Sequence, residues 1–448
     1  MTGEKLPQRF PQLLRNTFFS IPMPEKGTRL LPRKGQARGL QGGEGCAKME
    51  RMERLLCNKE EVLLHLVACA LNGRVPDRLS DAVPWKQVYA LSRAHGVRAL
   101  TFLAVERMGA FPDAALFAAW KESYQRAMVR DATQAMEYEA MSAALTEQGI
   151  PFLPLKGLLL KQDYPSPSVR EMSDLDLLLS RKDLAAAGRC MESLGYERQT
   201  NHAEHHDVYH KQPILNVELH NNFNTDRRFA KHYFRDQIEA ARKEGLRGPV
   251  LLSAEDTYFH LVLHAAEHLK EAGIGIRQFI DLYLYRKHHT LNEETVARLL
   301  DACGYRTLES WMMDFARLWF EEIPIPRTDV SAEQRMKMER YFLTSTVYGT
   351  REQLELHSAV DTGKKQNSLF LASVRNFFSA LFPSRWMMQT QYPVLKRHPV
   401  LLPFCWVARL FRSLFRTRTR ALHTISRYRD TDERAYEETK DILNTLFS

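Results

Sequence analysis

"REMSDLDLLLSR", residues 170–181, sets two aspartates, Asp174 and Asp176, at the head of an apolar run. Asp is a poor strand former, and carboxylates this close repel each other. An extended chain alternates its faces, so Asp174 and Asp176 project to one side and Leu175 and Leu177 to the other. Such a strand buries leucines on one sheet face and offers two acids, about 7 Å apart, on the opposite one. A cation relieves the repulsion. Paired carboxylates suit Mg²⁺, which takes oxygen ligands, and two such ions form a clamp for phosphoryl or nucleotidyl transfer.

The flanking segments read as a small mixed α/β unit. Upstream, a long helical pattern stops at Gly149, and "IPFLPLKG" (150–157) then enters a glycine turn as a strand. Downstream, "RKDLAAAGRCMESLGY" (181–196) is a helix ended by Gly195, and "HDVYHK" (206–211) and "ILNVELH" (214–220) pair as a hairpin across Gln212–Pro213. In the second hairpin strand Asn216, Glu218 and His220 share one face. Glu218 completes a three-carboxylate site if this strand lies beside the first. In the glycine turn, Lys156 and the N–H groups near Gly157 are candidates to hold triphosphate oxygens.

Helical patterns surround this unit. They fill about 50–147 and again 253–345, where Ser253 is placed to cap a helix with Glu255 and Asp256 in its first turn. A polar break at 357–368 leads into an apolar, aromatic, basic region. Over 404–416, Phe404, Val407, Phe411, Leu414 and Phe415 gather on one side of a helix and Arg409, Arg412 and Arg416 on another. That pattern suits a membrane surface or a protein partner through residues 400–420, and equally a packing helix with a solvated basic edge. The expected divisions are a disordered basic tail (1–48), a helical region (49–135), the α/β core (136–250), a helical domain (251–356) and a basic amphipathic region (357–448).

Composition bounds the class. The 448 residues are 44% hydrophobic and 26% charged, ordinary for a globular protein. The net charge of +9 owes much to residues 1–48, with nine Lys or Arg against three Glu. It is therefore weak grounds for a nucleic-acid partner and does not exclude one. Six widely spaced cysteines argue against a disulfide framework or zinc ribbon and suit a reducing cytoplasm. No apolar run approaches the roughly 18–20 residues that span a bilayer, and Met49 or Met52 is a natural start for the ordered chain. The expected location is cytoplasmic, with peripheral membrane contact open.

Together these segments resemble a known family. "LPLKGLLLKQDYPSPSVREMSDLDLLLSRKDLAAAGRCMESLGYE", "VELH" and "LVLHAAEHLKEAGIGIRQFIDLYL" are similar to the uncharacterised nucleotidyltransferase family of bacteria, grouped with the polymerase-β-like nucleotidyltransferase superfamily. The likeness runs over roughly 55–425, with its specific motifs in 152–282. It implies an α+β fold with a small mixed sheet of nucleotidyltransferase type, flanked by N- and C-terminal helical regions. It also implies Mg²⁺ or Mn²⁺, an NTP, and an acceptor it does not identify. Asp174, Asp176 and Glu218 are then the metal carboxylates and catalytic set. Lys156, Gly157, Arg170, Ser173 and His220 are the nucleotide-binding candidates, Gly157 opening a phosphate-facing helix and Arg170 lying near the phosphates. The wider superfamily places Gly-Ser shortly before its D-x-D; here Lys156-Gly157 stands further upstream and the serine is missing.

Two other readings compete. "HAAEH" (264–268) fits the H-x-x-E-H metallopeptidase pattern, with His264 and His268 one helical turn apart. A zinc site would need a third ligand, and a polar stripe with His260 along the nucleotide cleft explains the histidines as well. An inactive nucleotidyltransferase-fold scaffold on anionic membranes is the non-enzymatic reading. His202, His205, His206 and His210 read as a loop and strand edge. Asp281 is a secondary cleft candidate whose simpler role is to hold an Arg or His.

Overall fold

The computed structural model describes residues 55–199, 206–212, 215–223, 225–321 and 331–347, a discontinuous set between 349 and 416, and 433–447. The expected tail, its start at Met49 or Met52, His202, His205 and most of the 357–368 break lie outside these residues.

Among the described residues four helices come first: α1 (Lys59–Leu71), α2 (Trp85–Ala94), α3 (Arg98–Arg107) and α4 (Ala114–Glu147). Asn58 caps α1 by accepting from the Glu60 N–H at 2.8 Å, and Asp113 caps α4 by accepting from Leu116 at 2.9 Å. Within the helical stretch, 85–107 divides into two helices, α2 and α3. Gly96, at φ +64°, breaks it in a conformation that residues with a Cβ rarely adopt. The 34-residue α4 ends as expected, Gly149 taking φ +69° while the Ile150 N–H reaches back to the Leu145 carbonyl at 2.9 Å.

The α/β unit follows: β1 (Pro151–Pro154), the one-turn α5 (Gly157–Leu160), β2 (Leu175–Leu179), α6 (Leu184–Ser193), β3 (Glu197–Arg198), β4 (His206–Lys211), β5 (Leu215–His220), α7 (Arg228–Lys243) and β6 (Gly248–Pro249). The strands form one mixed sheet in the order β3-β4-β5-β2-β1-β6. Strand β2 is antiparallel to β1 and parallel to β5, while β4 and β5 form the expected antiparallel hairpin. The two-residue strands β3 and β6 and helix α7 were not anticipated.

The remaining helices among the described residues are α8 (Ala254–Glu271), α9 (Ile276–His288), α10 (Glu293–Asp301), α11 (Arg306–Phe320), α12 (Ala332–Thr344), α13 (Leu402–Arg416) and α14 (Glu433–Leu446). Ser253 caps α8, accepting from the Asp256 N–H at 3.0 Å.

The sheet separates two apolar cores. On one face Leu175, Leu177 and Leu179 join Val217 and Leu219 against Tyr138, Met141 and Leu145 of α4 and Ala187 and Met191 of α6. On the other, Leu153, Leu155 and Leu178 join the larger helical core with Phe234 and Ile238 of α7 and buried residues of α8 and α9. Alternation along β2 therefore works as read from the sequence. It turns the acids toward the helical side, and the sheet's second face becomes polar at Asp176, Glu218 and His220.

Candidate active site

Parallel pairing of β2 with β5 puts Asp176 directly opposite Glu218 and Leu178 opposite His220. In β5 the residues Leu215, Val217 and Leu219 are buried while Asn216, Glu218 and His220 are half-buried, so the polar set lies on the acid face. Asp176 is 3% exposed. Its Oδ1 accepts from His220 Nε2 at 2.8 Å and its Oδ2 pairs with Lys156 Nζ at 3.2 Å. His220 Nε2 also lies 3.3 Å from Glu218 Oε2. A nitrogen facing two carboxylates carries the hydrogen.

The charges are strongly interdependent. Burial alone would push the Asp176 carboxyl up, but Lys156 and His220 together overcome it and hold it well below the usual carboxylate range. Asp174 goes the other way: burial and then the neighbouring Asp176 carboxylate push it up, and Lys156 and a hydrogen bond from Ser173 offset only part. Burial opposes the Lys156 ammonium, yet Asp176, Asp174 and Glu218 outweigh that and raise it. Burial likewise lowers His220, and its hydrogen bonds to Asp176 and Glu218 win and raise it. A buried acid pushed up by its like-charged neighbour is a site suited to a cation.

Lys156 reaches the cluster at a conformational cost. Its backbone sits at φ 50°, ψ −119°, and among the described residues only Arg78 is another non-glycine at positive φ. Such a conformation costs about 1–3 kcal/mol and persists where the surroundings impose it. The next residue must be glycine for a different reason: a Cβ on Gly157 would collide with the Met172 sulfur and with Nη1 of Arg170. Gly157 does open a helix, as expected, but that helix is a single turn.

Arg170, expected near the phosphates, lies beside the Gly157 turn with most of its guanidinium engaged by Asp281. It is 8% exposed, and its Nε and Nη2 are committed to the two oxygens of Asp281 at 2.8 and 2.7 Å. The Tyr164 hydroxyl donates to the same carboxylate at 2.6 Å. A bidentate pair of this kind fixes geometry; here it ties the loop before β2 to α9, with Nη1 against the Gly157 turn. Asp281 is thus the partner of an arginine, the simpler of its two roles.

The histidines of α8 face the acids. His260 is buried between the rings of Phe223 and Phe234, at centroid distances of 4.8 and 5.7 Å. His264 and His268 approach each other at 3.0 Å between their Nε2 atoms. Burial first and the Lys156 charge second keep these rings neutral, lowering His260 to about 3, His268 to about 4 and His264 well below its ordinary value. One ammonium acting on all three puts the stripe within electrostatic reach of Lys156.

The metallopeptidase reading finds little support. Glu267 accepts from Thr225 Oγ1 at 2.8 Å and from the Tyr305 hydroxyl at 2.9 Å, a structural network. Among the described residues the one group of three or more potential ligands is Asp176, Glu218 and His220, whose ligand atoms all lie within 4.8 Å of one another. Among the described residues no third ligand joins His264 and His268. The N–O–O donor set of that group suits a hard or borderline divalent cation, and it differs from the expected triad in substituting His220 for Asp174.

Sequence reasoning missed Arg277. It donates from Nη1 to the Glu171 carbonyl at 3.0 Å, and its charge also lowers His264 and His268. Its one visible signal was its place in the "IRQFID" run, four residues before Asp281. His206 and His210 fall in β4, which is paired with β3 on one side and β5 on the other and is not a sheet edge.

The fold and the acid-lined sheet are those of a nucleotidyltransferase. The model of a family described as uncharacterised nucleotidyltransferase matches residues 81–321, more than half of the chain, and the chain belongs to that family. No curated protein and no solved structure matches it.

Proposed function

We propose that the site takes an NTP with a divalent cation and transfers the nucleoside monophosphate to an acceptor hydroxyl, releasing pyrophosphate. The observation that carries this reading is the register of β2 on β5, which puts Asp176 against Glu218 on the face that also bears Asp174. Asp174, Asp176 and Glu218 would hold the cation, with His220 as an alternative ligand or as the hydrogen-bond donor that orients both carboxylates. Mg²⁺ or Mn²⁺ supplies neutralisation of the charge that develops on the α-phosphate and lowers the proton affinity of the acceptor hydroxyl.

The chain's own groups do the rest by placement. The acceptor oxygen forms a bond to the α-phosphorus as the bond to the bridging β-phosphate oxygen breaks. Glu218, the more exposed of the two paired acids, receives the acceptor proton. Lys156 steadies the phosphates from the turn after β1, and Ser173, at the exposed mouth, is near enough to Asp174 to assist. The neutral imidazoles of His264 and His268, with His260 buried behind them against Phe223, form the opposite wall, a surface suited to a nucleobase or sugar. Arg170 and Asp281 act through the position of the Gly157 turn.

The test is equilibrium binding of each NTP in Mn²⁺, by calorimetry, to the wild type and to Asp176→Asn and Glu218→Gln. Metal-dependent binding that falls at least tenfold in both variants supports the reading. Binding that ignores the metal and both substitutions overturns it.

A further inference from the structure

Residues 393–416 present a surface that the nucleotidyltransferase chemistry does not use. Two short 3₁₀ turns, Pro393–Lys396 and Pro399–Leu401, lead into α13. Leu401, Leu402, Cys405 and Trp406 pack inward on a small separate cluster with Met388 and Leu395. The outward side carries Val400, Phe404 and Val407, which are 79%, 73% and 52% exposed. Pro403 and Ala408 are exposed beside them. In sequence the same helical spacing continues through Phe411, Leu414 and Phe415. A helix showing water its apolar side is missing something to cover it.

The charge around it says what. From residue 362 to 429 the chain has thirteen Lys or Arg and not one Asp or Glu, more than the whole chain's excess of nine. A second copy of this region would meet like charge of the same density. Nucleic acid would pair with the arginines and stack on aromatics, but gains nothing from exposed Val400 and Val407. An anionic bilayer satisfies both features, taking the apolar row below its headgroups while the arginines stay at phosphate level. No helix among the described residues is long and apolar enough to cross a membrane, and α13 is a 15-residue helix with three arginines, so the geometry is that of a helix lying in the surface. We propose that 393–416 docks the protein on anionic phospholipid surfaces.

Flotation of the full chain with phosphatidylcholine vesicles containing 30% phosphatidylglycerol, and with pure phosphatidylcholine vesicles, tests this. The protein should float with the anionic vesicles and stay down with the neutral ones. Replacing Arg397, Arg409, Arg412 and Arg416 by Gln should weaken partition by more than a hundredfold, at about fivefold per charge removed near the surface. The triple variant Val400→Ser, Phe404→Ser, Val407→Ser should lose flotation while keeping the wild-type circular dichroism and Mn²⁺-dependent NTP binding. Absent flotation, equal flotation on both vesicles, or an unaffected triple variant would overturn the proposal. So would a dimer, or an RNA complex, that forms without vesicle binding and is abolished by the triple variant.

Discussion

Lys156 pays for its position in backbone strain, and the strain is measurable. At φ 50°, ψ −119° a residue with a Cβ is disfavoured by about 1–3 kcal/mol, while glycine elsewhere is worse than alanine by about 0.5–1 kcal/mol through lost chain entropy. Lys156→Ala and Lys156→Gly both remove the ammonium that faces Asp176 at 3.2 Å and differ by one methyl group. The glycine variant should therefore be the more stable of the two by about 1 kcal/mol, against the usual order. Urea denaturation at pH 7, followed by fluorescence and circular dichroism, reads this as a higher midpoint at equal slope. Both variants should also lose less stability on acidification, the gap to the wild type closing as pH falls below the unfolded carboxylate value. Asp176 is held below its unfolded value in the wild type, so its contribution is present above that value and vanishes as pH falls through the folded one. Without Lys156 that folded value rises and the window narrows. An alanine variant as stable as the glycine variant would refute the strain argument, and with it the claim that lysine is kept here for its charge.

Three further outcomes follow from named contacts. Asp281→Ala should cost about 3–5 kcal/mol, the price of leaving the Arg170 guanidinium buried and unpaired, and Arg170→Met with Asp281→Leu should recover most of it; if Arg170 served phosphates instead, Asp281→Ala would spare stability in urea. His260→Phe should flatten the fall of stability between pH 6.5 and 4. The neutral ring favours folding above its unfolded value near 6.5 and that gain is lost as pH drops toward its folded value of about 3, so an unchanged slope in midpoints at pH 7, 5.5 and 4.5 would contradict it. Mn²⁺ at a hundredfold its dissociation constant should raise wild-type stability by about 2.7 kcal/mol, seen as a higher thermal midpoint, and should leave Asp176→Asn with Glu218→Gln unmoved.

Much of this was written in local pattern. Alternation in "LDLLL" and "LNVEL" set which residues face the cleft, because a sheet with apolar cores on both sides leaves little choice of register. Gly149, Gly195 and Ser253 marked helix ends by their own chemistry. What was not legible came from pairs distant in sequence. Arg170 and Asp281 are 111 residues apart, and neither reveals from its neighbours that it will meet the other. The same holds for Arg277 against Glu171 and for His220 bridging two carboxylates on different strands. Gly157 was correctly singled out, yet the close approach of Met172 and Arg170 that requires it is a tertiary fact. Strands β3 and β6 are two residues long and carry no periodicity to read.

The chemistry itself is tested most directly by isotope. Purified protein with Mn²⁺ and an acceptor-containing cell extract should transfer radiolabel from NTP carrying it in the α-phosphate, and none from NTP carrying it in the γ-phosphate, which leaves in pyrophosphate. Asp174→Ala with Asp176→Ala should label nothing. Transfer of the γ-label, or equal α-labelling by that double variant, would contradict nucleotidyl transfer at these aspartates.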